Sequence, residues 1–542
     1  MLMTKDKIKK IPIYIFFLFY FSISIQIFKN YGIDIEEHTS RLNGFYWINY
    51  ISKIFYLENL EIITNNKISE IFKGDPYVTD VRLYNFYGPA FEILATYLEI
   101  ILNIKESKTL YELRHLLIFI FFYLSSIAFF YILFNRFKSY YVSFFGLLVF
   151  ILNPRIFGNS FHNTKDIIFL AFVVFATYFM FKLFNKIKLK YLLFFSLFAA
   201  LATSTRIIGV FLPLTFIILN LVKIDKKKIF LNFLVFFLYF FFLFIHWPFL
   251  WESPIHNFAN YLIKAKSYIW NYPILFDGNY HFMHYLPRTY LPVWMLITIP
   301  VYYIGIFFLG FFLNLKRIFN RILKIDENKD IFLGKNEKKD FFIFFSFTTI
   351  TSLVIFSNTA LASSWRHLFF LNFFISYICS YYIFIFFIKK KNIAYRFIFL
   401  LPFLFIVYKI VLYHPFESLF FNELSNLKIK NSFEVDQPRL SRTHALEKIL
   451  EINNRQEKKK IIKVANASFG PLYNGADKLR IIDKEKFIFL GQDYNKADYI
   501  YNNFIYEFNP KYNSKYTIPK NFDKIYEFNI NSVKIYEIYK KK

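Results

Sequence analysis

The chain has 542 residues, of which 79 are Phe and 42 Tyr, and 56% are hydrophobic, a composition that excludes an ordinary soluble enzyme. Its formal net charge of +28 would fit a nucleic-acid binder, but the basic residues fall in loops between apolar runs. A single cysteine, Cys379, excludes an intrachain disulfide framework.

Apolar runs recur along the first 412 positions. They read as about eleven spans at 11–28, 113–134, 140–153, 167–184, 191–204, 206–222, 229–246, 292–313, 341–357, 368–388 and 396–412. The expected fold is mainly α, a polytopic transmembrane helical bundle with outer amphipathic loop helices and a small C-terminal α/β extracytoplasmic domain. Two units follow: 1–412, with a large first outer loop at 29–112, and 413–542. Lys5, Lys7, Lys9, Lys10, Arg136, Lys138 and the basic stretches within 182–190, 223–228, 316–339 and 389–391 fall on one side. By the positive-inside rule that side is cytoplasmic, which puts the N-terminus inside and the C-terminal domain outside. The first run lacks a small-x-small cleavage site and is expected to stay as an uncleaved helix. The stretch 314–340 reads as a solvated linker.

This topology sends all ten His residues to the outer side or its membrane edge, so the chemistry is expected there. In the first outer loop, "YGIDIEEHTSRLNG" carries Asp34, Glu36 and Glu37 just past the first span. Acids at a helix start complement the macrodipole. A carboxylate at the membrane surface is equally placed to take a proton from a hydroxyl. Residues 84–102 are amphipathic and too polar to span, and are expected to lie along the interface.

The second outer loop is "NPRIFGNSFHNTKDIIF", 153–169, read as a compact turn. Arg155 and Lys165 are suited to hold a phosphate at headgroup depth, and Asp166 to orient one of them or to help bind a metal. Snorkelling from helix ends is the plainer account of such cations. It explains a lone Arg better than Arg155, His162, Lys165 and Asp166 packed together beside Pro154 and Gly158. Arg206, the pair Arg366 and His367, and the pair Arg114 and His115 join from the same side, as expected around an anionic lipid headgroup. His281 and His284 lack an HExxH context, so no zinc site is assigned and no cofactor is expected. No Walker loop, GxGxxG or GxSxG is present, which leaves ATP-driven transport and dinucleotide chemistry unsupported.

These residues resemble the polytopic membrane glycosyltransferases of the C-type fold, and most closely bacterial relatives of the protein O-mannosyltransferases and of the lipid A aminoarabinose transferase. Glu36 and Glu37 stand where that family has an Asp-Glu pair, with Asp34 as the fallback base. Pro154, Arg155, Gly158, Asn163, Lys165 and Asp166 match a family signature. "HWPFLWESP" (246–254), "LPRTYLPVWMLITIP" (286–300), "WRH" (365–367) and "YHPFESLFFNEL" (413–424) follow in family order, with "SFEVDQPRLSRTHALEKI" (432–449) a looser match. The resemblance implies transfer of a sugar from a polyprenyl-phosphate carrier to a hydroxyl acceptor (protein, lipid or glycan) with inversion. An outer-loop carboxylate would be the base, in the inner membrane of a bacterium. Arg155, Lys165, Arg206 and Arg366 would face the leaving phosphate, with Asn163, Asp166, His162, His367 and His115 in support. The partners are then the lipid-linked donor, the acceptor and membrane lipids, with no nucleic acid. A transporter or flippase of lipid-linked saccharide is the alternative, and it predicts charges near mid-membrane instead.

The tail carries strand-like patches at "KKIIKVANA", "KFIFLGQD", "ADYIYNN" and "VKIYEIYKK" after a helical "HALEKILEINNRQ". About 130 residues suffice for a small domain.

Overall fold

A computed structural model describes residues 11–74, 88–222, 225–267, 273–324, 331–357, 359–389, 394–425, 431–456 and 460–542. The basic positions Lys5 to Lys10, Lys223, Lys329, Lys390 and Lys391, and residues 84–87 of the expected interfacial helix, lie outside the described residues.

Among the described residues, seven helices are long and apolar enough to cross a membrane: Ile11–Asn30, Ser107–Phe137, Asp166–Asn185, Lys226–His246, Val301–Leu323, Lys335–Phe356 and Leu371–Lys389. The pair Tyr140–Ile151 and Pro154–His162 makes an eighth if taken as one broken span, bent by 65°. The apolar helices Leu189–Thr205, Ile207–Leu221 and Phe399–Tyr413 are shorter. The protein is an integral membrane protein, and the apolar runs are helical, one of them in two pieces. Asp166–Asn185 and Leu371–Lys389 are the most enclosed of the long spans. Stacked and edge-on aromatic rings fill the space between helices, as between Phe122 and Phe150 (5.3 Å) and between Phe129 and Phe373 (5.5 Å).

Three local expectations are corrected. The run at 292–313 is split: Tyr290–Thr298 ends before Pro300, and the span proper is Val301–Leu323. Proline at 300 has no N–H to donate and biases Ile299 to extended backbone, so one helix ends and the next begins. Residues 153–169 are not a compact turn. Pro154 occupies the first helical position and starts a buried helix, Pro154–His162, which turns off from the preceding one by 65°. Gly158 lets this helix pack closely on residues 417–418, because a Cβ there would lie 2.7 Å from the backbone nitrogen of Ser418. The linker at 314–340 is largely helix as well. Asp340 is buried and accepts from Arg136, Arg317 (2.7 Å) and Tyr377 (2.7 Å), while Arg321 pairs with Glu337 at 3.0 Å.

The segment expected as the first outer loop folds, over its described residues, into helices Glu37–Ile54, Glu58–Gly74 and Ala90–Ile101. Ala90–Ile101 wears its polarity inward: Glu92 and Glu99 are buried, while Leu94, Tyr97 and Ile101 are exposed. Glu92 meets Arg114, and Glu99 meets Arg41 at 2.6 Å, so the acids find cations inside and apolar side chains are left facing out.

The C-terminal region pairs helix Ser441–Gln456 with a five-stranded mixed sheet. Its strands are β3 (Ile462–Asn466), β4 (Phe487–Phe489), β5 (Tyr499–Asn502), β6 (Phe522–Ile530) and β7 (Val533–Lys541). The order is β4-β3-β5-β7-β6, with β3 parallel to β4 and β5 and the last two pairings antiparallel. A separate hairpin, β1 (Pro273–Phe276) and β2 (Asn279–Phe282), packs beside residues 432–434. His281 therefore sits on a strand, not on a helical face with His284.

Candidate active site

One end of the bundle gathers the residues just past Ile11–Asn30, the start of Ser107–Phe137, the bent helix Pro154–His162, the start of Asp166–Asn185, Arg206, and the short turn before Leu371–Lys389. The outer-side candidates thus converge, although they lie up to 330 positions apart in the chain.

The three carboxylates of the first loop have different surroundings. Asp34 is buried: one oxygen accepts from the Glu36 amide at 2.9 Å, and the other lies 3.3 Å from His162 Nδ1. His162 Nε2 is 2.8 Å from the Ser418 hydroxyl. With Nδ1–H donating to the carboxylate, Nε2 is left to accept from Ser418. Glu37 has a side chain only 1% exposed; it accepts from the Asp34 amide at 2.8 Å and meets His115 Nε2 at 3.2 Å. Burial, with Asp34 adding to it, raises the Glu37 carboxyl to about 7. Glu36 differs, with a side chain 28% exposed. Arg366 contacts one of its oxygens, and Lys165 Nζ lies 3.3 Å from the other. Burial pushes its pKa up, but Arg366, Lys165, Arg206 and His367 outweigh that and hold it well below the usual carboxylate range.

The second group brings the basic residues together. Asp166 begins its helix and takes Arg206 as ion-pair partner. The Asn163 carboxamide oxygen accepts from the Asp166 amide at 2.8 Å, and its nitrogen donates to Asp166 Oδ2 at 3.1 Å. Lys165 pairs with Glu36, and Asp166 pairs with Arg206. His367 is buried beside Arg206 and Arg366; its pKa is depressed well below the ordinary value by burial and by those two cations. Around Glu36 the arrangement therefore presents Lys165, Arg206 and Arg366 against two carboxylates, an excess of positive charge at a partly open position.

Arg155 stands apart from this cluster. It is 2% exposed, its Nε donates to the Phe420 carbonyl (2.9 Å) and its Nη1 to Ser364 (3.2 Å), and its guanidinium lies 5.2 Å from the rings of both Trp294 and Phe421. Two of its nitrogens tie the bent helix to Phe420 and Ser364, a packing role, while Nη2 is buried without a hydrogen-bond partner among the described residues. His115 likewise supports Glu37 and does not reach Glu36. Sequence reasoning missed Glu417 and Ser418. Glu417 is buried and accepts from Tyr31 at 3.1 Å and from His414 at 2.8 Å. The stretch "YHPFESLFFNEL" contains both, and its polar residues inside an aromatic run were the signal available.

Among the described residues, no group of three or more His, Cys, Asp or Glu side chains is placed to hold a metal ion.

Residues 104–251 match the family model described as dolichyl-phosphate-mannose-protein mannosyltransferase. The match covers less than half of the chain and takes in His115, Arg155, His162, Lys165, Asp166 and Arg206. The matched family is one of membrane glycosyltransferases, in agreement with the resemblance read from the motifs. Two solved structures are similar to the chain. The oligosaccharyltransferase of Archaeoglobus fulgidus, in its apo form, aligns with a TM-score of 0.43 and 11% identity over 76% of this chain and 57% of that one. ArnT from Cupriavidus metallidurans, bound to undecaprenyl phosphate, aligns with a TM-score of 0.43 and 9% identity over 97% of this chain and 98% of that one. The chain thus spans less than two thirds of the archaeal enzyme's length. No curated protein sequence matches it.

Proposed function

We propose that this protein transfers a sugar from a polyprenyl-phosphate carrier to a hydroxyl acceptor on the outer face of a bacterial inner membrane, with Glu36 as general base. The observation that carries this reading is the contrast among the carboxylates. Glu36 is the partly open one and sits against Lys165 and Arg366, whereas Asp34 and Glu37 are sealed into hydrogen bonds that hold the loop.

In the reaction, the acceptor hydroxyl oxygen attacks the anomeric carbon from the side opposite the phosphate, and the configuration inverts. The bond from that carbon to the phosphate oxygen breaks, and its electron pair stays on the phosphate. The hydroxyl proton passes to Glu36. Charge develops on the departing phosphate, and Lys165, Arg206 and Arg366 are fixed cations facing that charge. In the resting protein Glu36 occupies two of them. A donor phosphate competes for the same cations and loosens the carboxylate, so donor binding readies the base.

The test is to incubate purified protein with radiolabelled polyprenyl-phosphate sugars and a panel of hydroxyl acceptors, without nucleotide sugar. Labelled acceptor of inverted anomeric configuration, with release of polyprenyl phosphate, is the expected outcome. Donor movement across a vesicle membrane without cleavage would point to the flippase instead.

A further inference from the structure

The short segment that delivers Glu36 is held from two sides. A buried backbone must place its N–H and C=O groups, and residues 33–36 place four of them locally. The Asp34 amide donates to Glu37 and the Glu36 amide to Asp34, while the Asp34 and Glu36 carbonyls accept from the Glu37 and Ser40 amides. Two more are met by the C-terminal region. The Ile35 amide donates to the Pro438 carbonyl at 3.0 Å, and the Ile33 carbonyl accepts from Arg442 Nη2 at 3.0 Å.

Arg442 is an unusual residue for its place. It is 1% exposed and lies in the first turn of Ser441–Gln456, the positive end of the helix macrodipole, where a cation is disfavoured. Its guanidinium is satisfied by three carbonyls from three segments: Ile33, Pro471 through Nη1 (2.8 Å) and Arg439 through Nε (3.0 Å). The three bonds leave three different nitrogens of the planar fork, a spread that the three donors of one ammonium nitrogen do not reproduce. The two strands of chain also run in close contact. A Cβ on Gly32 would lie 2.5 Å from the Leu440 carbonyl oxygen, and one on Gly475 would lie 2.6 Å from the Arg442 Cβ.

We infer that Arg442 is a positioning residue for Glu36, and that the C-terminal region is the template holding the Glu36 carboxylate against Lys165 and Arg366. The inference rests on the reading of Glu36 as the base. Other contacts between the two parts, such as His38 with Asp477 (2.8 Å), join side chains beyond the loop. Arg442 and Pro438 grip the backbone directly before Glu36.

Arg442→Lys and Gly32→Ala disturb this grip from its two sides. Donor and acceptor kinetics on the full-length protein in detergent or nanodiscs are the measurement, with thermal unfolding alongside. A base displaced by a fraction of an ångström to an ångström should lower kcat about tenfold to a hundredfold. The KM for the polyprenyl-phosphate sugar should not rise, because Lys165, Arg206 and Arg366 are untouched and a displaced Glu36 competes for them less. In a Glu36→Gln background, Arg442→Lys should produce no further loss, since a misplaced base and an absent base are the same defect. If Arg442→Lys does not fold, Gly32→Ala decides. Wild-type kcat in the folded variants would overturn the inference, as would an equal loss of kcat with Glu36 already replaced. Failure of the underlying reading is seen separately, as an unchanged rate for Glu36→Gln alone.

Discussion

Lys165 Nζ lies 3.3 Å from one oxygen of Glu36, and Arg366 contacts the other. Lys165 is thus engaged by Glu36, the proposed base, and a donor phosphate would compete for it. Removing it should delete one charge-assisted contact to the donor phosphate, worth roughly 1.5–3 kcal/mol. Lys165→Ala should raise the donor KM about tenfold to a hundredfold, with the acceptor KM little changed. Steady-state kinetics with each substrate varied in turn checks this.

Arg155 should behave differently. Its Nε and Nη1 are engaged by Phe420 and Ser364, and its plane is held between two aromatic rings. Arg155→Ala should leave the Phe420 carbonyl without its donor and cost about 1–3 kcal/mol of stability. The donor KM of the surviving folded protein should stay near wild type. Thermal unfolding in detergent, beside donor kinetics, separates the two effects.

Glu37 provides a pH signature. Its carboxyl is raised from 4.5 to about 7, mainly by burial. A raised acid favours the protonated form in the fold, so its contribution to stability is full below about 4.5 and is lost as pH climbs through about 7. Ionising it costs on the order of 3 kcal/mol by the linkage relation. Glu37→Gln keeps an acceptor for the Asp34 amide and cannot ionise. Its unfolding temperature should vary less between pH 5 and 8 than that of the wild type, to the extent of this one group. Equal pH dependence in the two proteins would show that Glu37 is not titrating in this window.

At the opposite end of the bundle, Asp340 is the common acceptor for Arg136, Arg317 and Tyr377. Asp340→Asn removes the counter-charge from two guanidinium groups and should destabilise the protein by about 3–5 kcal/mol, the cost of breaking a buried pair. The measurement is unfolding of the purified variant. A loss within experimental error would mean that solvent or lipid headgroups compensate the two cations.

The apolar runs were legible because lipid exposure demands length and hydrophobicity, which sequence displays directly. Four of the five C-terminal strands were also visible as β-branched and aromatic patches. β6 was not: "FDKIYEFNI" mixes charges through the strand, as an exposed edge position allows. The polar residues at one membrane face were legible as a set, but their division of labour was not. Nothing local says that Arg155 will be enclosed by Trp294 and Phe421 while Lys165, ten positions on, reaches Glu36. Those partners come from distant segments, and the 65° bend into Pro154–His162 sets which cation faces which. The same holds for Ile33 and Arg442, which are neighbours only once the C-terminal region has docked.

The most direct measurement of the central claim is single-turnover transfer from a labelled polyprenyl-phosphate sugar by Glu36→Gln, with Glu37→Gln and Asp34→Asn as comparisons, each confirmed folded. Glu36→Gln should lower the rate of transfer by about two to four orders of magnitude, with donor binding retained and with the other two carboxylate variants less affected in the chemical step. Transfer at the wild-type rate by folded Glu36→Gln would contradict the account.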